Sequence, residues 1–200
     1  GEIMDKIRNL PNYNTYSIEL MNAVVKQDQN TINQIFNKID EELRKIRKEK
    51  SITFERSQKM WNDPESHLRA VQLEEVTDLK MEFDDNLGLF QLANLVQYEP
   101  VMTITFTKML KNLSDIRLRT NIRTARSEKM WNDSESHFKA VEAEKQADLE
   151  NEITDLMSLY NIAQSANYTK GIELITNRLN KIAPNLADSL IPKNSGTVHK

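Results

Sequence analysis

Apolar residues recur at steps of three and four along most of the chain, the spacing of helices that bury one face. The first such stretch, from Thr15 to about Gln29, predicts a short helix. Its apolar positions are Ile18, Met21, Val24 and Val25. The second stretch, from Thr31 to about Met60, predicts a long helix. Its apolar positions are Ile32, Ile35, Phe36, Ile39, Leu43 and Ile46. Residues 1–13 are expected to form a lead-in.

A further helix is predicted to begin in the segment Asn62-Asp63-Pro64-Glu65. It supplies an Asx cap for free amide protons, a proline for the first turn and an acid near the positive end of the helix dipole. The helix is expected to end near Tyr98, because Pro100 disfavours helical geometry in the residue before it. The next helix is predicted to open at Val101.

One segment of the chain occurs twice. Residues 56–71 and 126–141 are identical at 12 of 16 positions. The apolar positions of the long helices also recur 70 residues later. This period predicts an all-α fold, an elongated up-down helical bundle of tandem helical hairpins. Its parts are a lead-in and first helix forming a half-unit (1–30), two hairpin repeats (31–100 and 101–170), a final helix as a second half-unit (171–183) and a flexible tail (184–200), all within one structural domain.

Composition narrows the class of protein. Four glycines and five prolines in 200 residues leave little material for the tight turns of a sheet protein. The absence of cysteine excludes disulfides, thiolate metal sites and a cysteine nucleophile. No run approaches the ~20 apolar residues of a stable membrane span. A soluble protein is expected, with its compartment left open between the cytoplasm and secretion after processing.

Charge alternates along the predicted helices. Residues 31–59 carry a net +3, residues 63–96 a net −6, residues 101–130 a net +5 and residues 133–166 a net −6. Antiparallel neighbours would therefore attract along their flanks, although each exposed pair contributes only ~0.2–1 kcal/mol. With a net charge of −3, the chain has no overall positive electrostatic field that would attract nucleic acid. The most basic row lacks interleaved aromatic residues, so no nucleic-acid partner is predicted.

Two patterns raise the question of a metal site. Four acids share a helix face in each repeat: Glu74, Asp78, Glu82 and Asp85, then Glu144, Asp148, Glu152 and Asp155. Carboxylate bundles that hold two metals also use Glu-x-x-His, which neither helix contains, so a solvated or helix-pairing face is favoured. His67 and His137 each follow an aspartate by four residues, but an aspartate that caps a helix is poorly placed to bind metal. No metal and no cofactor are predicted.

The repeated segment carries the candidate binding residues, which include both tryptophans of the chain. They are Arg56, Met60, Trp61 and His67 in the first copy, and Arg126, Met130, Trp131 and His137 in the second. In one interpretation each tryptophan folds back and plugs the end of the core, with the arginine stacked on it. In the other, these residues form an exposed patch of the composition found at binding hot spots. The first interpretation is favoured.

No motif indicates catalysis. The sequence contains no Gly-rich phosphate loop, no Gly-x-Ser-x-Gly and no His-Glu-x-x-His. The prediction is a non-enzymatic helical interaction protein that acts through protein-protein contacts, with another protein or a second copy as partner. The alternative is a carrier of a fatty acid or other small hydrophobic ligand. Its cavity would be lined by Met81, Met102, Met109, Met130, Met157, Phe83, Phe90 and Phe106.

Overall fold

The computed structural model describes residues 2–58, 64–128 and 134–190, while the side chains at 2, 52–69, 121–134 and 136 lie outside the description. The described residues are mostly helical and contain no strand, which confirms the all-α class. The helices are α1 (Glu2–Arg8), α2 (Tyr13–Val25), α3 (Gln29–Gln58), α4 (Pro64–Leu95), α5 (Glu99–Glu128), α6 (Ser134–Ser165) and α7 (Thr169–Ile182), followed by the helical residues 184–190, here α8. No helix in the described part of the chain is long and apolar enough to cross a membrane.

The chain divides into two compact units, Gly1–Ile116 and Arg117–Lys200, and the boundary falls within α5. In the first unit α3 packs against α4 and α2. Contacts between α3 and α4 run in reverse order, since Arg47 bonds Asp85 while Ser51 bonds Asp78, so these helices are antiparallel. In the second unit α6 packs against α7.

The core of the first unit follows the predicted face of α3. Ile35, Phe36, Ile39 and Leu43 are all buried. They meet side chains from α4 and α5, where the rings of Phe90 and Phe106 lie 5.8 Å apart. Ile46, predicted to continue this face, is half-buried.

Residues 1–13, expected to be a lead-in, contain the helix α1 and contribute to the core. Met4, Ile7 and Leu10 are buried. The physical reason lies on α4, where Gly88 has no side chain, so α1 can approach closely. A Cβ at position 88 would lie 2.9 Å from Cδ1 of Ile7.

The predicted face of α2 was wrong. Ile18, Met21 and Val25 are exposed, whereas Leu20 and Ala23 are buried. Apolar residues occur on both faces of this short helix, so local spacing does not decide which face is buried. Packing against α3 buries the face with Leu20 and Ala23.

The start of the expected flexible tail is helical. Residues 184–190 form α8, and Ala187 is fully buried. Pro184 can open a helix because the first turn needs no amide proton from it. The prediction of a frayed tail is therefore wrong for this segment, and the rest of the tail lies outside the described residues.

A turn of the same geometry follows α2, α4 and α6. Its central residues Gln27, Gln97 and Asn167 have φ of 56°, 54° and 52°. In each turn the next backbone N–H donates to a carbonyl five residues back, which satisfies an otherwise free carbonyl at the helix end. Those carbonyls belong to Ala23, Ala93 and Ala163.

Candidate functional site

The structure describes few of the predicted binding residues. Met60, Trp61, Met130 and Trp131 lie outside the described residues. The side chains of Arg56, His67 and Arg126, on α3, α4 and α5, also lie outside them. His137 is described, and it is exposed on α6. Whether the tryptophans are plugs or a patch stays a prediction.

A buried ionic network crosses the first unit at the centre of α4. Asp85 accepts hydrogen bonds from Arg47 of α3 and, at 2.6 Å, from Lys6 of α1. Arg47 also lies 3.6 Å from Glu82. Glu82 accepts a hydrogen bond from Asn112 of α5, whose Oδ1 accepts one from Asn86. The network therefore connects α1, α3 and α5 to α4.

The second unit contains a related but simpler arrangement. Arg117 of α5 donates to Asp155 of α6 at 2.7 Å and lies 3.9 Å from Asp148. Arg178 of α7 donates two hydrogen bonds to Glu152, at 2.7 and 3.0 Å. Arg117, Asp148, Glu152 and Asp155 stand 70 positions after Arg47, Asp78, Glu82 and Asp85.

The acidic face of α4 and α6 thus serves to pair helices where it is buried. Hydrogen bonds from Arg178 hold the pKa of Glu152 below its usual range. Burial, with the charge of Asp85, raises the pKa of Asp84. No group of three or more His, Asp or Glu that could hold a metal ion occurs among the described residues. These carboxylates are engaged with cations and amides, which suits a structural role.

A groove of about 320 Å³ lies between α3 and α5, above Leu89 of α4. Its walls include Phe36, Leu89 and Val101, which are buried. Ile104 stands at its edge with 53% of its surface exposed. Lys108 is also exposed there and forms no ion pair with a described side chain. The groove joins apolar walls to Lys108 on α5 and to Asp40 on α3, whose charge is paired with Arg44, and this combination suits an amphipathic helix.

Ile104 was not among the residues that the sequence singled out for binding. The 70-residue repeat does distinguish Ile104, because the equivalent position 70 residues later is also a large apolar residue, Leu174, and it is also exposed. Neither residue belongs to the repeating core series. A comparison of apolar positions outside that series would have identified both.

Other cavities of the first unit bear on the carrier alternative. A cavity of about 170 Å³ is lined mainly by apolar residues of α2 and α4, among them Met21, Leu92 and Leu95. It is smaller than the ~300–1,000 Å³ typical of ligand pockets. Met81 lines an open cavity of about 510 Å³ together with Lys50 and Asp84. Four other residues proposed as cavity lining are buried in the core: Met102, Met109, Phe90 and Phe106.

Comparison of the chain with protein-family models, curated proteins and solved structures finds no match. The function is therefore inferred from the chain's own residues.

Proposed function

We propose that this chain is a non-enzymatic binding protein that holds a helix of another protein in the groove between α3 and α5. The observation that carries the proposal is the exposure of Ile104 beside buried apolar walls. Large apolar side chains beside a groove indicate a contact surface when polar groups surround them. Polar groups are supplied here by Asn33, Asn37, Lys108 and Asp40, and the carboxylate of Asp40 is paired with Arg44.

The partner helix would be amphipathic and acidic. Its apolar stripe would cover Ile104 and reach the walls at Phe36 and Leu89. A carboxylate one turn away would pair with Lys108, which has no counter-ion among the described side chains. The chain's own acidic helix α4 pairs with α3 in this manner through Asp85 and Arg47.

We further propose that the chain consists of tandem 70-residue hairpin units, and that the groove lies between equivalent helices of these units. The proposal rests on three turns of matching geometry at Gln27, Gln97 and Asn167. Helix lengths support it, since α3 and α5 each contain 30 residues and α4 and α6 each contain 32. In such arrays the grooves between equivalent helices commonly bind partners. No observation favours the carrier over this function.

A library of helical peptides displayed on phage tests the proposal. Peptides selected on the full chain should carry apolar residues at three- and four-residue spacing and an acidic flank. Ile104→Arg should weaken their binding by tenfold or more, and Lys108→Glu by about threefold. Leu73→Arg, at an exposed apolar position of α4 that does not line the groove, is the matched control, and it should leave the affinity unchanged. Equal binding to the wild type and to Ile104→Arg would overturn the proposal.

A further inference from the structure

One carboxylate between α2 and α3 has no cation beside it. Glu42 accepts a hydrogen bond at Oε1 from the side-chain amide of Asn12, at 3.0 Å. Its other oxygen, Oε2, is buried and accepts no hydrogen bond from the residues that the structure describes. The phenol of Tyr16 lies next to this carboxylate but outside hydrogen-bond geometry with Oε2. A charged oxygen that is removed from water normally has a partner, so this one needs an explanation.

The repeat shows that an acid in this setting is otherwise paired with a cation. Seventy positions later the same amide–carboxylate pair recurs with its two members exchanged, as Glu82 and Asn112. The carboxylate there lies 3.6 Å from Arg47. After another 70 positions the equivalent acid is Glu152, which lies 2.7 Å from Arg178. The two later copies therefore supply a cation from the chain itself, and the first copy does not.

The unpaired carboxylate stands at one end of an apolar cavity. The cavity, of about 170 Å³, lies between α2 and α4 and reaches Ile39 of α3, three residues before Glu42 and on the same side of that helix. Tyr16 connects the two features, since it lines the cavity and lies next to the carboxylate. Met21 and Leu95 line the cavity too, and both are exposed, so a small molecule can enter between them.

The charges around Tyr16 are negative. Burial, and after it the charge of Glu42, raises the pKa of the Tyr16 phenol, and the charge of Glu19 raises it further. No cation contributes to this shift. A positively charged ligand would therefore be attracted to this end of the cavity, and a fatty-acid carboxylate would be repelled. The rings of Tyr13 and Tyr16 also line the cavity, and aromatic rings attract organic cations.

The volume limits the size of the ligand. An apolar cavity of about 150 Å³ in another protein holds one molecule of benzene, so a single ring fits here. We propose that the cavity between α2 and α4 binds a small organic amine, whose single ring fills the apolar part and whose protonated amino group pairs with Oε2 of Glu42. The cavity shares no lining residue with the groove between α3 and α5, and this proposal does not depend on the function proposed for that groove.

Three ligands of similar shape and different charge test the site on the full, isotopically labelled chain by NMR titration. Phenethylamine should cause saturable shifts at Tyr16, Ser17 and Leu92, with a dissociation constant of about 0.1–1 mM for so few atoms. Phenethyl alcohol, which is neutral, should bind at least tenfold more weakly, and the hydrocinnamate anion more weakly still. Absence of saturable shifts with the amine, or equal affinity for the amine and the alcohol, would overturn the proposal.

A charge-neutral variant tests the role of Glu42. Glu42→Gln keeps an oxygen for Asn12 but removes the charge, so it should weaken phenethylamine tenfold or more and leave the alcohol within about twofold of its wild-type affinity. The matched control is Glu41→Gln, which removes the neighbouring exposed acid of α3 and should leave both affinities unchanged. Circular dichroism would establish that both variants keep their helices. An equal loss for the alcohol, or an equal loss in Glu41→Gln, would contradict the pairing of the amino group with Glu42.

Discussion

Arg47–Asp85 in the first unit and Arg117–Asp155 in the second are pairs of the same residues in different surroundings. The side chain of Asp85 is 1% exposed, and that of Asp155 is 26% exposed. The difference coincides with α1, which packs on α4 and adds Lys6 as a second cation for Asp85. A carboxylate removed from water needs such partners, because its lost hydration is costly. An ion pair that is partly exposed in the second unit is therefore part of a buried network in the first, where a short helix covers it.

The largest expected effect comes from removing the arginine of each pair. Arg47→Met leaves Asp85 buried with one cation and should lower the local unfolding free energy of α4 by about 3–5 kcal/mol. Arg117→Met leaves Asp155 partly hydrated and should cost α6 about 1 kcal/mol. Hydrogen exchange of peptides around positions 85 and 155 measures both values. Equal losses would mean that burial of Asp85 adds nothing to the pair.

An intermediate effect is expected where α1 meets α4. Gly88→Leu would place a side chain against Ile7 and Ile3, so α1 should be displaced at a cost of about 1–3 kcal/mol. The matched change Ser158→Leu, at an exposed position of α6, should alter stability by less than about 0.5 kcal/mol. Faster amide exchange in residues 2–8 of the first variant is the measurement. Unchanged exchange there would show that Gly88 does not admit α1.

The smallest effect concerns acid, which should act with opposite signs through two carboxylates, Glu152 of α6 and Asp84 of α4. The lowered pKa of Glu152 means that its pair with Arg178 stabilises α6 at neutral pH, and that this stabilisation is lost as pH falls through the lowered pKa. The raised pKa of Asp84 means that its charge costs stability at neutral pH, and that protonation relieves this cost as pH falls through the raised pKa.

Urea unfolding followed by residue-resolved NMR at about pH 6 and about pH 3.5 separates the two contributions. Glu152→Gln should reduce the acid sensitivity of α6, and Asp84→Asn should stabilise α4 at the higher pH. The same sign of pH dependence for both carboxylates would contradict their assigned environments.

The sequence predicted the long helices and the buried face of α3, because Ile35, Phe36, Ile39 and Leu43 follow one helical stripe. On α2 local spacing selected Ile18 and its neighbours, most of which are exposed. The period gives the correct answer there, since Leu20 and Ala23 precede the buried Phe90 and Ala93 by 70 positions.

Contacts between distant parts of the chain were beyond local patterns. Burial of α1 depends on Gly88, about 80 positions later, and no spacing within residues 1–13 reveals it. In the sequence, Asp85 is one of four acids on the same helix face, and no local pattern marks it as buried. Its burial depends on a distant partner, Lys6 of α1. The break between α4 and α5 was predicted near Tyr98, but the left-handed geometry of Gln97 was not, since glycine usually signals it. The groove was missed because it forms between helices that are separated in sequence.

A double-mutant cycle on each ion pair tests the central claim most directly. The variants Arg47→Met, Asp85→Leu and their combination give one coupling energy, and Arg117→Met, Asp155→Leu and their combination give the other, both from hydrogen exchange of the helix concerned. We expect a coupling of about 2–3 kcal/mol for the buried pair and of about 0.5–1 kcal/mol for the partly hydrated one. Equal couplings would contradict the conclusion that α1 changes the energetics of the pair it covers.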